Sequence, residues 1–210
     1  MDVAQRLAAK FERYLSSPAR RNYSHEPSKR MSQWRASAGR PAYGHLTTLA
    51  ARKRSICLIV DCSGSMQEQI GNARTLALVL NLLSQQGKVG GHIVLSAIIS
   101  GGVAVSQAFE FPVSHDVVER IHGFGEGEGL RSALMVHQQK VKTAGDVFVF
   151  TDARITDEPI NVAGLRQQGI AVCGLYVGDY EESNAHLAEH FERFVVRESL
   201  EALIDALLSK

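Results

Sequence analysis

Asp61, Ser63 and Ser65 stand two apart in Asp61-Cys62-Ser63-Gly64-Ser65-Met66, directly after the apolar run Ile56-Cys57-Leu58-Ile59-Val60. All three offer oxygen donors, which suit a hard divalent cation such as Mg²⁺, with Mn²⁺ or Ca²⁺ as alternatives. Alternation along an extended loop turns the three side chains to one side, and Gly64 permits a tight turn between the serines. A second apolar run, Asp146–Phe150, ends in Thr151-Asp152. If the two runs are neighbouring parallel strands, their carboxyl ends meet and Asp152 becomes a fourth donor, directly or through water. Mg²⁺ keeps several waters in an octahedral shell, so an incomplete protein shell leaves a position open to a partner's carboxylate. The competing reading is a plain helix N-cap, where Ser and Asp are also preferred.

The elements that must position these groups follow from periodicity. Ile56–Val60 is a continuous apolar strand, as expected at the centre of a sheet covered on both faces. Ile70, Ala73, Leu76, Ala77, Leu80 and Leu83 mark a helix closed by Gly87. The start of this helix points back at the serines, where its dipole favours an anion, such as a ligand of the metal. His92–Ser100 is a second apolar strand, and Val103–Phe111 alternates as an edge strand joined to it through Gly101-Gly102. Asp116–Ile121 reads as a short helix. One helix runs through Leu134 and Val141, and Asp146–Phe150 is a strand. Val162–Gln168 and Ala185–Phe191 are helical, Ile170–Val177 and Phe194–Val196 are strands, and Leu200–Leu208 is a last helix. Strands alternating with helices predict an α/β fold: a doubly wound, mostly parallel central sheet with one antiparallel edge strand. In such sheets ligands bind outside the carboxyl ends of the strands, which is where Asp61 and Asp152 fall.

The first 53 residues differ in kind. Val3, Leu7, Phe11 and Leu15 predict an amphipathic helix over 2–15, ended by Ser16-Ser17-Pro18. Residues 16–50 carry three of the five prolines and read as an irregular arm with at most short helices, in which Tyr23, Trp34 and Tyr43 need something to pack on. The predicted organisation is a basic N-terminal extension over 1–53 and the α/β domain over 54–210. Residues 1–54 hold 12 Lys/Arg against 3 Asp/Glu, although the whole chain of 210 residues is only +1. The two segments either dock on each other, or the basic one meets an acidic partner or nucleic acid. No apolar run approaches the roughly 18 to 20 residues that span a bilayer, and no apolar stretch after Met1 reads as a signal peptide. Cys57, Cys62 and Cys173 form no disulfide or zinc pattern. A cytoplasmic setting without membrane contact is the expectation.

The strand, the loop and the second strand end together resemble the von Willebrand factor type A domain, whose metal-ion-dependent adhesion site reads D-x-S-x-S, a distant Thr and a distant Asp. The resemblance covers roughly residues 54–208, with Asp61, Ser63 and Ser65 matching the first part and Asp152 the last. It implies a metal-dependent protein-interaction module that binds an Asp or Glu of a partner. The chain departs from the pattern in Glu126-Gly127-Glu128-Gly129-Leu130-Arg131-Ser132-Ala133-Leu134, where Glu128 takes the place of the distant Thr. Glu128 is an oxygen donor too, and if it reaches the metal three carboxylates surround it; Ser132 is the lesser substitute. Pro27–Met31, Gly39–Pro41 and Arg52–Arg54 are loosely similar to the basic lead-in of cobalt-chelatase-type subunits. That likeness implies an AAA+ ATPase as a possible partner. It implies no chelatase activity.

Two other functions compete. Metal-assisted hydrolysis needs a general base near the metal, and Glu128 is the only obvious one. Nucleic-acid binding would fall to the basic arm in residues 1–53. Other signals are weak. His186 and His190 have zinc-like spacing but lack the accompanying Glu, so a surface pair is expected. Cys62 reads as a small buried filler. Gly125-x-Gly127-x-Gly129 is not a dinucleotide-binding pattern, and no Walker lysine or Ser/His/Asp order is present.

Overall fold

Continuous apolar runs place a strand at the centre of a sheet, and the arrangement around them is where the fold is decided. The computed structural model describes residues 3–15, 20–24, 43–47, 53–156, 160 and 162–208. Helix α1 is Val3–Leu15, and strands β1 (Arg20–Ser24) and β2 (Tyr43–Thr47) follow it. β3 (Arg54–Asp61) leads through a 3₁₀ turn at Gly64–Glu68 into α2 (Ile70–Gln85), β4 (Val89–Ile99) and β5 (Val103–Glu110). Next come α3 (His115–Glu119), α4 (Leu130–Val136), α5 (Gln138–Thr143) and β6 (Asp146–Phe150). The chain closes with α6 (Val162–Gln167), β7 (Val172–Val177), α7 (Tyr180–His190), β8 (Arg193–Arg197) and α8 (Leu200–Leu208).

Six strands form one sheet in the order β5-β4-β3-β6-β7-β8, and only the β4–β5 pair is antiparallel. The order runs outward from β3 in one direction and outward from β6 in the other. The switch point, where ligands bind in open α/β sheets, therefore lies between the carboxyl ends of β3 and β6. Their register pairs Val60 with Phe150, so Asp61 and Thr151 are the next residues out. Successive residues of β3 are buried on both sides. Cys57 and Ile59 join a core with Leu130, Ala133, Leu134, Val141, Val147 and Val149. Leu58 and Val60 are equally buried, as are Leu76, Leu80 and Leu83 of α2. Helices on both faces explain why this strand carries no polar alternation.

Several expectations are corrected. Residues 16–50 are not wholly irregular: β1 and β2 pair antiparallel from Arg20↔Thr47 to Ser24↔Tyr43. Neither Arg-Arg-Asn-Tyr-Ser nor Tyr-Gly-His-Leu-Thr alternates cleanly, and a long stretch separates them, so no strand or hairpin signal was present. Trp34 and the segments Pro27–Met31 and Gly39–Pro41 lie outside the described residues. The helix through Leu134 and Val141 is two, with His137 between them at φ −100°, ψ 22°. His137 Nε2 lies 3.1 Å from Ser106 Oγ on β5.

The boundary after residue 53 also falls differently. The chain divides into one unit of residues 1–13 with 53–210 and another of residues 14–52. Helix α1 thus belongs to the α/β unit. Its apolar stripe is Ala4, Leu7, Ala8 and Phe11, all buried, while Val3 is 51% exposed. Lys10 on its outer side donates to Glu201 (2.7 Å) and Asp205 (3.1 Å) of α8, and Glu12 accepts from Lys88 Nζ at 2.6 Å. Arg54 lies 3.5 Å from Asp146. Part of the basic charge of the first 54 residues is therefore matched inside the α/β unit. Among the described residues, no helix is long and apolar enough to cross a membrane.

Candidate metal centre

The site is built where β3 runs out. Asp61 is the last residue of β3 and has no exposed surface. Its Oδ1 accepts the Ser63 N–H at 2.8 Å and its Oδ2 accepts the Thr151 hydroxyl at 3.0 Å. The carboxylate is thereby clamped from its own loop and from the end of β6. Ser63 Oγ and Ser65 Oγ lie 3.0 Å apart, so the two hydroxyls form one donor surface. Ser63 stands at the N-cap of the 3₁₀ turn but makes no side-chain cap hydrogen bond. Its hydroxyl is not spent on capping, which removes the support for the plain N-cap reading.

Asp152 follows β6 and is also buried. Its Oδ1 accepts the Arg154 N–H at 3.0 Å, while its Oδ2 is buried without a hydrogen-bond partner. Between them Ala153 adopts φ 65°, a left-handed conformation that L residues rarely hold outside functional or tightly turned segments. Among the described residues neither Asp61 nor Asp152 forms an ion pair. Burial pushes the Asp61 carboxyl up to about 7, against the pull of the Ser63 and Thr151 hydrogen bonds, and the charge of Asp152 adds to the rise. Two close buried carboxylates with an orphaned oxygen and no basic counter-charge are costly by themselves. A divalent cation fits that deficit, with hydroxyl donors alongside.

Glu128 is placed otherwise. It is buried, and its Oε2 accepts the Thr156 N–H at 3.2 Å and the Thr156 hydroxyl at 3.0 Å; Oε1 lies 3.4 Å from the same hydroxyl. Among the described residues, no three His, Cys, Asp or Glu side chains gather as a metal-holding group. Glu128 therefore ties the glycine loop to the loop after β6, and the carboxylates that come together are Asp61 and Asp152. The glycines serve packing. The Phe124 and Gly125 N–H groups both donate to the Cys62 carbonyl at 3.0 Å, and Gly64 N–H donates to the Gly125 carbonyl at 2.8 Å. A Cβ on Gly125 would stand 2.6 Å from the Ala97 Cβ, and Gly129 has φ 64° with the Ala97 carbonyl 2.9 Å from any Cβ. Only glycine admits such a close approach.

Sequence reasoning missed Thr151 as the donor that orients Asp61, and Ser96, whose hydroxyl holds the Glu128 carbonyl at 2.8 Å. It also missed Gln69, whose amide bonds the Val177 carbonyl at 2.7 Å and fixes the start of α2. The Thr151-Asp152 dipeptide was the available signal for the first; nothing local marked the other two. Cys62 is fully buried, and burial pushes its thiol up to about 12, as a filler requires. His186 is exposed but His190 is buried, so the expected surface pair is corrected at His190. Ser183, Leu187 and His190 form the buried stripe of α7, and His186 lies just outside it.

The chain is similar in structure to the pilus adhesin SpaC from Lactobacillus rhamnosus GG in its open conformation. The TM-score is 0.56 at 13% identity, over 77% of this chain and 30% of the adhesin. It also aligns with an aerotolerance-related membrane protein from Bacteroides fragilis NCTC 9343 carrying multiple mutations to serines, at TM-score 0.49 and 16% identity over 74% of this chain and 97% of that one. A von Willebrand factor type A structure from Catenulispora acidiphila aligns at TM-score 0.47 and 16% identity, over 76% of this chain and 42% of its own. No family model matches the sequence, and no curated protein is significantly similar to it. The chain spans under a third of the adhesin's length. At such identities the likeness concerns the fold alone. Strand order, one antiparallel edge pair and flanking helices are consistent with a von Willebrand factor type A-like or Rossmann-like α/β fold.

Proposed function

We propose that this domain is a metal-dependent protein-interaction module. Asp61, Ser63, Ser65 and Asp152 hold Mg²⁺, or Mn²⁺ or Ca²⁺ in its place, and an Asp or Glu of a partner protein completes the shell. The observation that carries this reading is the buried Asp152 Oδ2, which has no hydrogen-bond partner beside an equally buried Asp61. The exposed Ser65 leaves one side of the donor set open to an incoming ligand. When bound, the cation supplies an electrophilic anchor for a carboxylate. The chain's own residues do the rest. Thr151 and the Ser63 N–H fix the Asp61 oxygens, the Arg154 N–H turns Asp152, and the glycine loop bonded to Cys62 holds the serine loop in place.

Calorimetric titration of metal-stripped protein with Mg²⁺ and Mn²⁺ tests the reading. Saturable binding is expected in the wild type and none in Asp61→Ala, with the circular dichroism of the two proteins alike. Equal binding in Asp61→Ala would place the cation elsewhere and end the proposal.

A further inference from the structure

A cavity of ≈ 600 Å³ opens beside the serine loop, lined by Leu95, Val105, Gln107, Arg120, His122 and Phe124. Leu95 pairs in register with Val60, one residue before Asp61, so the cavity lies level with the site. Its wall is bonded directly to the metal loop through the Phe124 N–H and the Cys62 carbonyl. The floor is apolar. The Phe124 ring is 46% exposed and lies tilted against His122, 5.0 Å between centroids and 58° between planes, while its backbone N–H is held by the Cys62 carbonyl. Arg120 stands 5.8 Å from the centroid of the Phe109 ring and, among the described residues, has no carboxylate partner. An apolar hollow with an unmatched guanidinium at its rim complements an acidic segment that carries a large apolar side chain.

We infer that this cavity is the second anchor for the acidic protein partner: a large apolar side chain of the partner seats between Leu95, Val105 and Phe124 while Arg120 pairs with a neighbouring carboxylate. The inference rests on the cation reading above. Two strand spacings separate β3 from β5, about 10 Å, which an extended segment covers in about three residues. The partner segment therefore carries its apolar residue about three positions from the metal-binding acid. The metal supplies an anchor that any accessible carboxylate can satisfy, and the cavity supplies the discrimination among them.

Selection of random displayed peptides on the full chain tests this, with Mg²⁺ and with EDTA in parallel. In Mg²⁺ the wild type is expected to enrich peptides with Asp or Glu and, about three positions away, Phe, Trp, Leu or Met. Affinity of the best such peptide should fall about tenfold in Arg120→Glu and in Phe124→Ala, while each variant still binds Mg²⁺. Both side chains are exposed, which keeps the folded state safe from the changes, and Val105→Trp offers a third variant that fills the cavity instead of emptying it. Enrichment of acidic peptides with no apolar preference, undiminished in these variants, overturns the inference and leaves the cation reading intact. Acidic-apolar peptides enriched equally in EDTA and lost in the variants support the cavity and sink the cation reading. No enrichment by the wild type overturns both.

Discussion

The glycine loop buries one carboxylate, Glu128, and the ends of β3 and β6 bury two, Asp61 and Asp152, with opposite consequences. Glu128 is buried with donors supplied by the chain itself, the N–H and hydroxyl of Thr156. Asp61 and Asp152 are buried as a pair, with one oxygen orphaned and no cation beside them among the described residues. A buried carboxylate with its own donors closes a structural tie. A buried pair short of donors raises its own energy until something positive arrives. The two regions differ in how the surrounding backbone satisfies them, and that difference separates a loop clip from a binding site.

The largest effect expected from this contrast is in the metal-free protein. The Asp61 carboxyl is raised from its ordinary 3.8 to about 7, chiefly by burial. The folded state then holds a proton that the unfolded state has released, so the contribution of Asp61 to stability is most favourable below about pH 4 and declines as pH rises toward 7. The span is up to about 4 kcal/mol for a shift of this size. Asp61→Asn should remove that slope and be more stable than the wild type above pH 7 in EDTA, read by thermal melts across pH. Mg²⁺ should restore the wild type alone, because ligation competes with the proton. A flat wild-type profile in EDTA would mean that Asp61 is adequately satisfied without a cation, and the contrast with Glu128 would dissolve. Next in size is Thr151→Val, which keeps the shape of the side chain and deletes the donor to Asp61 Oδ2. Removing a donor that orients a metal ligand weakens binding by about tenfold or more. Unchanged Mg²⁺ affinity would show that the Ser63 N–H alone orients the carboxylate.

The same contrast explains what the sequence could and could not show. The sheet was legible because β3, β4, β6 and β7 are apolar runs that only a covered sheet accommodates, and the order of strands and helices then left few topologies. Asp61, Ser63, Ser65 and Asp152 were legible as candidates because each sits at or just past a strand end. Which oxygen of which carboxylate stays unsatisfied depends on Thr151, Arg154 and Thr156, whose roles arise only when separate strand ends meet. Glu128 was read as a possible ligand from its place in a motif, and no sequence pattern could reveal that Thr156 would reach it first. The β1–β2 pair was missed for a related reason: its partners are distant in the chain, and the hydrogen bonds that join them are backbone bonds, which leave little trace in side-chain types.

Glu128→Gln is the smallest change and the sharpest test of the boundary between the two regions. The amide keeps the carbonyl acceptor for the Thr156 N–H and loses only the charge on the bond, so the melt should drop by the equivalent of about 1 kcal/mol. Mg²⁺ affinity should hold within a small factor of the wild type, because the carboxylates that gather at the serine loop are Asp61 and Asp152. Were affinity to collapse with the fold unchanged, Glu128 would have to leave Thr156 and enter the shell when metal binds. Three carboxylates would then surround the ion, its pull on an acidic partner would weaken, and the loop clip would become part of the switch by which the site engages its ligand.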